Sequence, residues 1–153
     1  MAAVRDKIQR LSFLEKEFAR LRLEILKRDT LALLDNAETV NGTKMFCNRY
    51  QDVKIDLLRQ IADLVKSKLT SYALCLASSE GSKAWLLIVL SDDLVRKGLD
   101  AVKIIKDIAV AISGDGGGRP SMAQAGGDNN QGIFNALDKF KATIISRLKQ
   151  AAE

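Results

Sequence analysis

The fourteen residues from Gly114 to Gly127 constrain this chain more than any others. They read Gly114-Asp115-Gly116-Gly117-Gly118-Arg119-Pro120-Ser121-Met122-Ala123-Gln124-Ala125-Gly126-Gly127 and hold six of the ten glycines and the only proline. Glycine loses more conformational freedom on ordering than any other residue, so a mere connector rarely carries such density. The segment reads as a glycine-rich loop. In a loop, glycines adopt positive φ and let successive backbone N–H groups converge on one point, a nest suited to an anion such as phosphate. Arg119 adds a guanidinium fork beside it. Ser121 and Gln124 can donate to phosphate or sugar, and Pro120 stiffens the exit. The competing reading is a flexible or packing loop that holds no ligand.

Hydrophobic periodicity around this loop predicts an α+β domain. Residues 3–38 read as one long helix, because Val4, Ile8, Leu11, Leu14, Phe18, Leu21 and Ile25 recur every three or four positions. The heptad character lasts roughly three repeats. The stripe either docks on the rest of the domain or pairs with a partner helix, in a dimer or in a longer parent chain. Asn41-Gly42 is a turn signal that ends the segment. Residues 43–50 read as a strand, and Asp52 as the N-cap of a helix running to about Leu69, with Leu58, Ile61 and Val65 among its core-facing residues. Residues 71–77 and 84–90 read as two further strands around a tight turn at 78–82. The second of these is apolar on both faces, so it belongs in the middle of the sheet with helices on each side. Ser91-Asp92-Asp93 opens a helical stretch, with Ser91 as N-cap and the acids favourably placed for the dipole. That stretch breaks at Gly98 and resumes to Ile112, and a last amphipathic helix spans Asn130 to about Ala151. The expected fold is a small mixed sheet of about three to five strands packed with helices. A helical arm over residues 1–40 precedes a globular domain over residues 41–153 that contains the glycine-rich loop.

Composition narrows the function. At 153 residues and 47% hydrophobic, the chain can bury a core without disulfides or metal. Cys47 and Cys75 lie in apolar stretches with no CxxC spacing, which predicts buried, reduced thiols. The net charge of +5 favours a polyanionic partner only gently, because no stretch of the chain concentrates the excess. Histidine is absent, which removes Ser-His-Asp and Cys-His triads, histidine metal sites and imidazole base chemistry. The first residues turn charged at Arg5 and carry no hydrophobic signal segment, and the apolar run at 84–90 is too short to cross a bilayer. A soluble, cytosol-like setting is expected, with no membrane partner.

The loop follows a helix and contains no lysine, so neither the Walker pattern nor the GxGxxG dinucleotide fingerprint fits it. Gly116-Gly117-Gly118-Arg119-Pro120 followed by Met122-Ala123-Gln124-Ala125-Gly126-Gly127 instead resembles the signature of the C-terminal (C-Ala, DHHA1-type) domain of alanyl-tRNA synthetases. That domain belongs to the wider group appended to DHH phosphodiesterases. Upstream, Ser91-Asp92-Asp93-Leu94 and Lys97-Gly98-Leu99-Asp100-Ala101 resemble the segment that enters the helix before the loop. Residues 43–150 fit the family's globular part in order and spacing, and residues 3–38 resemble its helical, dimer-supporting part.

The resemblance implies a non-catalytic tRNA-binding domain of an alanine–tRNA ligase, or a stand-alone homologue, with no cofactor and no metal. Such a domain contacts the outer corner and backbone of tRNA, here tRNA-Ala, and supports aminoacylation and editing. It makes Gly116, Gly117, Gly118, Arg119 and Gln124 the candidate nucleic-acid contacts. Residues 3–38 become the contact to a second copy or to a parent-chain helix. The compartment is the cytoplasm, or an organelle matrix if the parent is an organellar synthetase. Two positions depart from the family. Asp115 interrupts a run that is usually all glycine and brings a carboxylate near the nest, whereas Ser121 stands where the family commonly has an acid.

An independent enzyme fits poorly. The related phosphodiesterases place histidine after the triple glycine, where this chain has Arg119, and an editing hydrolase needs a histidine-and-cysteine metal set. The alternative function is a dimerisation or scaffold module with little nucleic-acid binding. Lys44, Arg49, Lys54, Lys139 and Lys141 flank the expected sheet and last helix and read first as ordinary solvated residues. Phe46, Trp85, Phe134 and Phe140 sit in core-patterned positions, which favours recognition of shape and backbone over stacking on unpaired bases.

Overall fold

The chain is described as a computed structural model over residues 2–152; Met1 and Glu153, the outer limits of the expected arm and globular domain, lie outside the described residues. Helix α1 (Ala2–Leu34) leads into strands β1 (Glu38–Val40) and β2 (Thr43–Gln51), then helix α2 (Ile55–Lys68). Strands β3 (Tyr72–Glu80) and β4 (Lys83–Leu90) precede the short helix α3 (Asp92–Arg96) and helix α4 (Ala101–Ile108). A 3-10 turn at Ala109–Ile112 enters β5 (Gly114–Arg119) and β6 (Met122–Gly127), and α5 (Ile133–Ala152) closes the fold. The six strands form one sheet in the order β1-β2-β3-β4-β6-β5, parallel between β2 and β3 and antiparallel elsewhere. The fold is α+β as expected, with six strands in place of three to five.

Alternating side chains give the sheet two apolar faces. On one face Phe46, Tyr50, Leu74, Leu76, Leu87 and Val89 pack under α2 through Leu58, Ile61, Ala62 and Val65. On the other, Cys75, Leu86, Ile88, Ala123 and Ala125 pack under α4 and α5, with Ile105, Ile108, Phe140 and Ile144. β4 is covered on both sides, as its unbroken apolar run requires. Cys47 and Cys75 are register partners across β2 and β3 and remain free thiols. Burial pushes the Cys47 thiol up to about 12 and Cys75 well above the ordinary range.

Several boundaries differ from the sequence expectation for physical reasons. α1 stops at Leu34, not at residue 38, and Glu38–Val40 folds back on β2. Asn41 (φ 50°) and Gly42 (φ 83°) supply the two positive-φ positions of a tight hairpin, which their order specifies. Asp52 is not the N-cap of α2; it sits at φ 56°, and its N–H donates to the Ser79 carbonyl at 2.8 Å. The next N–H, of Val53, donates to Ser78 Oγ at 3.0 Å, so sheet contacts hold the chain until Lys54 and only then does the helix begin. Ser91 does precede α3, but its hydroxyl accepts from the Tyr72 N–H and bonds Asp93 without capping the helix. Gly98 (φ 102°) ends α3: its N–H reaches the Val95 carbonyl and that of Leu99 reaches Leu94, a Schellman pair.

The arm carries two distinct apolar faces. Beyond Arg22, the side of α1 bearing Leu26, Thr30, Leu31 and Leu34 docks on α2 and β2, where the buried Thr30 and Tyr50 hydroxyls share a hydrogen bond of 2.6 Å. The stripe read from the sequence is the other face. Val4, Ile8, Leu11, Leu14, Phe18, Leu21 and Ile25 all remain exposed, Phe18 at 69%. Docking on the domain is therefore not what that stripe does.

Candidate nucleic-acid interface

The glycine-rich segment is a β-hairpin, not a loop. β5 is the edge strand, and each of its residues pairs in register with β6, from Gly114 opposite Gly127 to Arg119 opposite Met122. Glycine is a poor strand former, so the reason for the run lies in close approach. A Cβ built on Gly114, Gly116 or Gly118 would run into the β6 backbone, at the carbonyls of Gly126, Gln124 and Met122 respectively. On β6 itself, a Cβ at Gly126 would lie 2.8 Å from the Trp85 ring. These glycines serve the fold. Only Gly118 among the β5 glycines has positive φ (152°), so the successive N–H groups of the run do not converge into the expected nest.

Gly117 differs from its neighbours: no heavy atom lies within 4 Å of a Cβ built there. It faces the same side of the sheet as Asp115, Arg119, Met122 and Gln124, the side on which α2 covers β3 and β4. The opposite side is closed by α4, which packs on β4, β5 and β6. Beyond α2 a groove of about 340 Å³ opens, lined by Arg59, Gly117, Gly118, Arg119, Met122 and Gln124. The structure thus brings four of the five predicted contacts together. The fifth, Gly116, borders an adjoining depression with Trp85, Asp115 and Gly126, and Gly117 and Gln124 line both.

Arg59 is the residue that sequence reading missed. It projects from α2, donates through Nη2 to Gln124 Oε1, and contacts Asp56 at 3.4 Å. Gln124 thereby steadies a guanidinium while its own amide N–H groups remain donors. None of the ion pairs among the described residues involves Arg119. The hairpin tip is held in place, because the Pro120 carbonyl accepts from the Ala101 N–H and the Ser121 carbonyl from the Leu90 N–H, each at 2.9 Å. Two guanidinium forks and an amide therefore line a fixed, shallow floor without side chains. Such a set can engage oxygen acceptors, phosphate above all.

Other expected groups lie elsewhere. Lys44 borders a separate groove with Lys68 near the β1 end of the sheet. Arg49 stacks over Phe134 at 4.9 Å from the ring centroid, and Phe134 is 60% exposed in spite of its core-like spacing. Among the described residues no cluster of acids or cysteines has the makings of a metal site, and no helix is long and apolar enough to cross a membrane.

Fold and site together define a small α+β domain whose sheet is helix-covered except where its last hairpin exposes a cationic groove. Residues 42–150 match the DHHA1 domain, and the chain belongs to that family. It is 34% identical over 147 residues to the alanine–tRNA ligase of Alkaliphilus oremlandii, covering 96% of this chain and 17% of that protein. With the alanine–tRNA ligase of Pediococcus pentosaceus it shares 41% identity over 134 residues, 88% of this chain and 15% of that one. The chain spans about one sixth of the length of these curated relatives. Its fold matches the crystal structure of the C-Ala domain from Aquifex aeolicus alanyl-tRNA synthetase with a TM-score of 0.63 at 23% identity, over 73% of this chain and 96% of that one.

Proposed function

We propose that the chain is a non-catalytic tRNA-binding domain of an alanine–tRNA ligase, or a stand-alone homologue, that grips the backbone at the outer corner of tRNA-Ala. In this role it supports aminoacylation and editing carried out by other domains, in the cytoplasm or an organelle matrix. The observation that carries the reading is the convergence of Arg59, Arg119 and Gln124 over the empty position of Gly117. All three offer donors, and the missing side chain lets a phosphate or sugar approach the strand. Backbone oxygens are the acceptors such a surface meets on a folded RNA.

Binding of a tRNA-Ala transcript, followed by fluorescence anisotropy across a salt series, tests the proposal. Affinity falls steeply with salt if phosphates are engaged. Arg59→Ala and Arg119→Ala each cost about 1–3 kcal/mol, and each lowers the salt slope by about one. Parent-like binding by both variants would refute the groove as the contact.

The exposed face of α1 favours a second role beside the first. Leu11, Leu14, Phe18 and Leu21 line one open apolar strip, and full burial of each such side chain is worth about 1.5–3 kcal/mol. This is the surface for a helix of a second copy or of the parent chain. Light scattering on the parent and on Leu14→Glu/Phe18→Glu reads it out: a halved mass places the strip in a homodimer, whereas an equal mass removes it from any self-interface. A dimer that ignores tRNA would leave the scaffold role alone.

A further inference from the structure

On the groove side of β5, the side-chain positions run Asp115, Gly117, Arg119, opposite Gly126, Gln124 and Met122. At about 3.3 Å per residue, Asp115 and Arg119 stand about 13 Å apart along the strand, with Gly117 midway. The groove at Arg59 and Arg119 and the depression at Asp115 and Trp85 share Gly117 and Gln124, so they form one trough. One end of the trough presents the donors of Arg59, Arg119 and Gln124. The other offers a carboxylate, which only accepts.

Asp115 is not spent on the fold. Its Oδ1 accepts the N–H of Gly116 at 2.8 Å, which orients the carboxylate, and no ion pair among the described residues uses it. The second oxygen makes no hydrogen bond among the described residues, and Asp115 shares the lining of the depression with Trp85, whose ring lies against Gly126. A bare carboxylate beside a phosphate track repels it. It contributes to binding only if the strand presents a donor at that point. Along the RNA backbone every ribose carries such a donor, the 2′-hydroxyl, which the sugar of DNA lacks.

We propose that Asp115 reads the sugar: its free oxygen accepts a hydrogen bond from a ribose 2′-hydroxyl of the strand whose phosphate lies at Arg59 and Arg119, so the trough selects RNA over DNA. This inference rests on the trough being the nucleic-acid face proposed above. It gives Asp115 the opposite role from a blemish in an anion site. The sign of its effect then depends on the ligand. Against RNA the carboxylate gains a charged hydrogen bond, and against DNA it gains nothing and repels.

The test compares the parent with Asp115→Ala and Asp115→Gly, the second being the residue that cannot clash in this strand. Each protein is titrated with a tRNA-Ala transcript and with a DNA oligonucleotide of the same sequence, and a thermal melt confirms folding. A charged hydrogen bond of ordinary strength corresponds to about tenfold or more in affinity. Both variants should lose about tenfold toward RNA while DNA binding holds or rises, so the RNA-to-DNA ratio collapses. Arg119→Ala should weaken both ligands by a similar factor. If removing the carboxylate strengthens both ligands alike, or leaves the ratio unchanged, Asp115 does not read the sugar. A parent that binds RNA and DNA equally overturns this inference alone, whereas a parent that binds neither overturns the tRNA reading of the trough as well.

Discussion

Gly116 and Gly117 are adjacent and chemically identical, yet a side chain would meet opposite surroundings at the two positions. A Cβ on Gly116 would lie 2.7 Å from both Cα and Cβ of Ala125 and against the Gln124 carbonyl, so the two strands must move apart. Forced overpacking of this kind costs about 1–3 kcal/mol. For a domain of this size each kcal/mol lowers Tm by about 2–4 °C, which puts Gly116→Ala about 2–12 °C below the parent. A Cβ on Gly117 meets nothing within 4 Å, and alanine also narrows the unfolded ensemble. Gly117→Ala should therefore hold stability or raise it by about 0.4–1 kcal/mol. If the groove binds RNA as proposed, the cost of this substitution falls on binding, because the methyl group would occupy the floor that a phosphate or sugar approaches. Calorimetric melts and tRNA anisotropy on the two variants separate the effects. Equal melting temperatures for the two would sink the close-approach account of the glycine run, and parent-like tRNA binding by Gly117→Ala would remove the floor from the contact.

Two further outcomes follow from the buried chemistry. With burial holding Cys47 up to about 12 and pushing Cys75 well above the ordinary thiol range, both thiols stay protonated at pH 8. An aromatic disulfide reagent should label neither in the native protein and both in denaturant; rapid native labelling would contradict the packing of β2 on β3. Asp93 is an acid-sensitive group. Partial burial works against its charge, but the Ser71 and Ser91 hydroxyls and backbone N–H groups outweigh this and hold it below its ordinary value of 3.8. Its pKa is thus lower folded than unfolded. The stabilisation is complete above the unfolded value and is lost as pH falls through the folded one. Asp93→Asn should flatten the decline of urea stability below about pH 4, and an unchanged acid limb would exclude this network as its source.

The parts legible in the sequence were those set by local pattern. The apolar stripe of α2, the doubly buried β4 and the turn at Asn41-Gly42 each follow from spacing over fewer than about ten residues. The glycine run was read for its conformational freedom, and the structure uses it for its lack of volume. Nothing local marks residues 114–119 as a strand, since strand formation there depends on pairing with β6, whose own alternation of Ala123 and Ala125 toward α4 was the available cue. Arg59 stayed hidden for a related reason. Its partner Gln124 is 65 positions away, and on α2 alone it is one cation on a solvated side. The displaced start of α2 is also tertiary, because Asp52 is a good cap residue overruled by its bonds to β3.

The division of α1 into docked and undocked lengths gives the molecule two kinds of stability. From Arg22 to Leu34 the helix shares the core through Leu26, Thr30 and Leu34, so it melts with the sheet. From Ala2 to Leu21 no side chain is fully buried, and that length is helical on propensity and the Glu17–Arg20–Glu24 ion pairs, which are worth only a few tenths of a kcal/mol each. Its opening free energy is therefore local and small, whatever the stability of the sheet. Amide exchange along one continuous helix should then step sharply near Arg22. A partner seated on Leu11, Leu14 and Phe18 would erase that step without altering a single contact in the core.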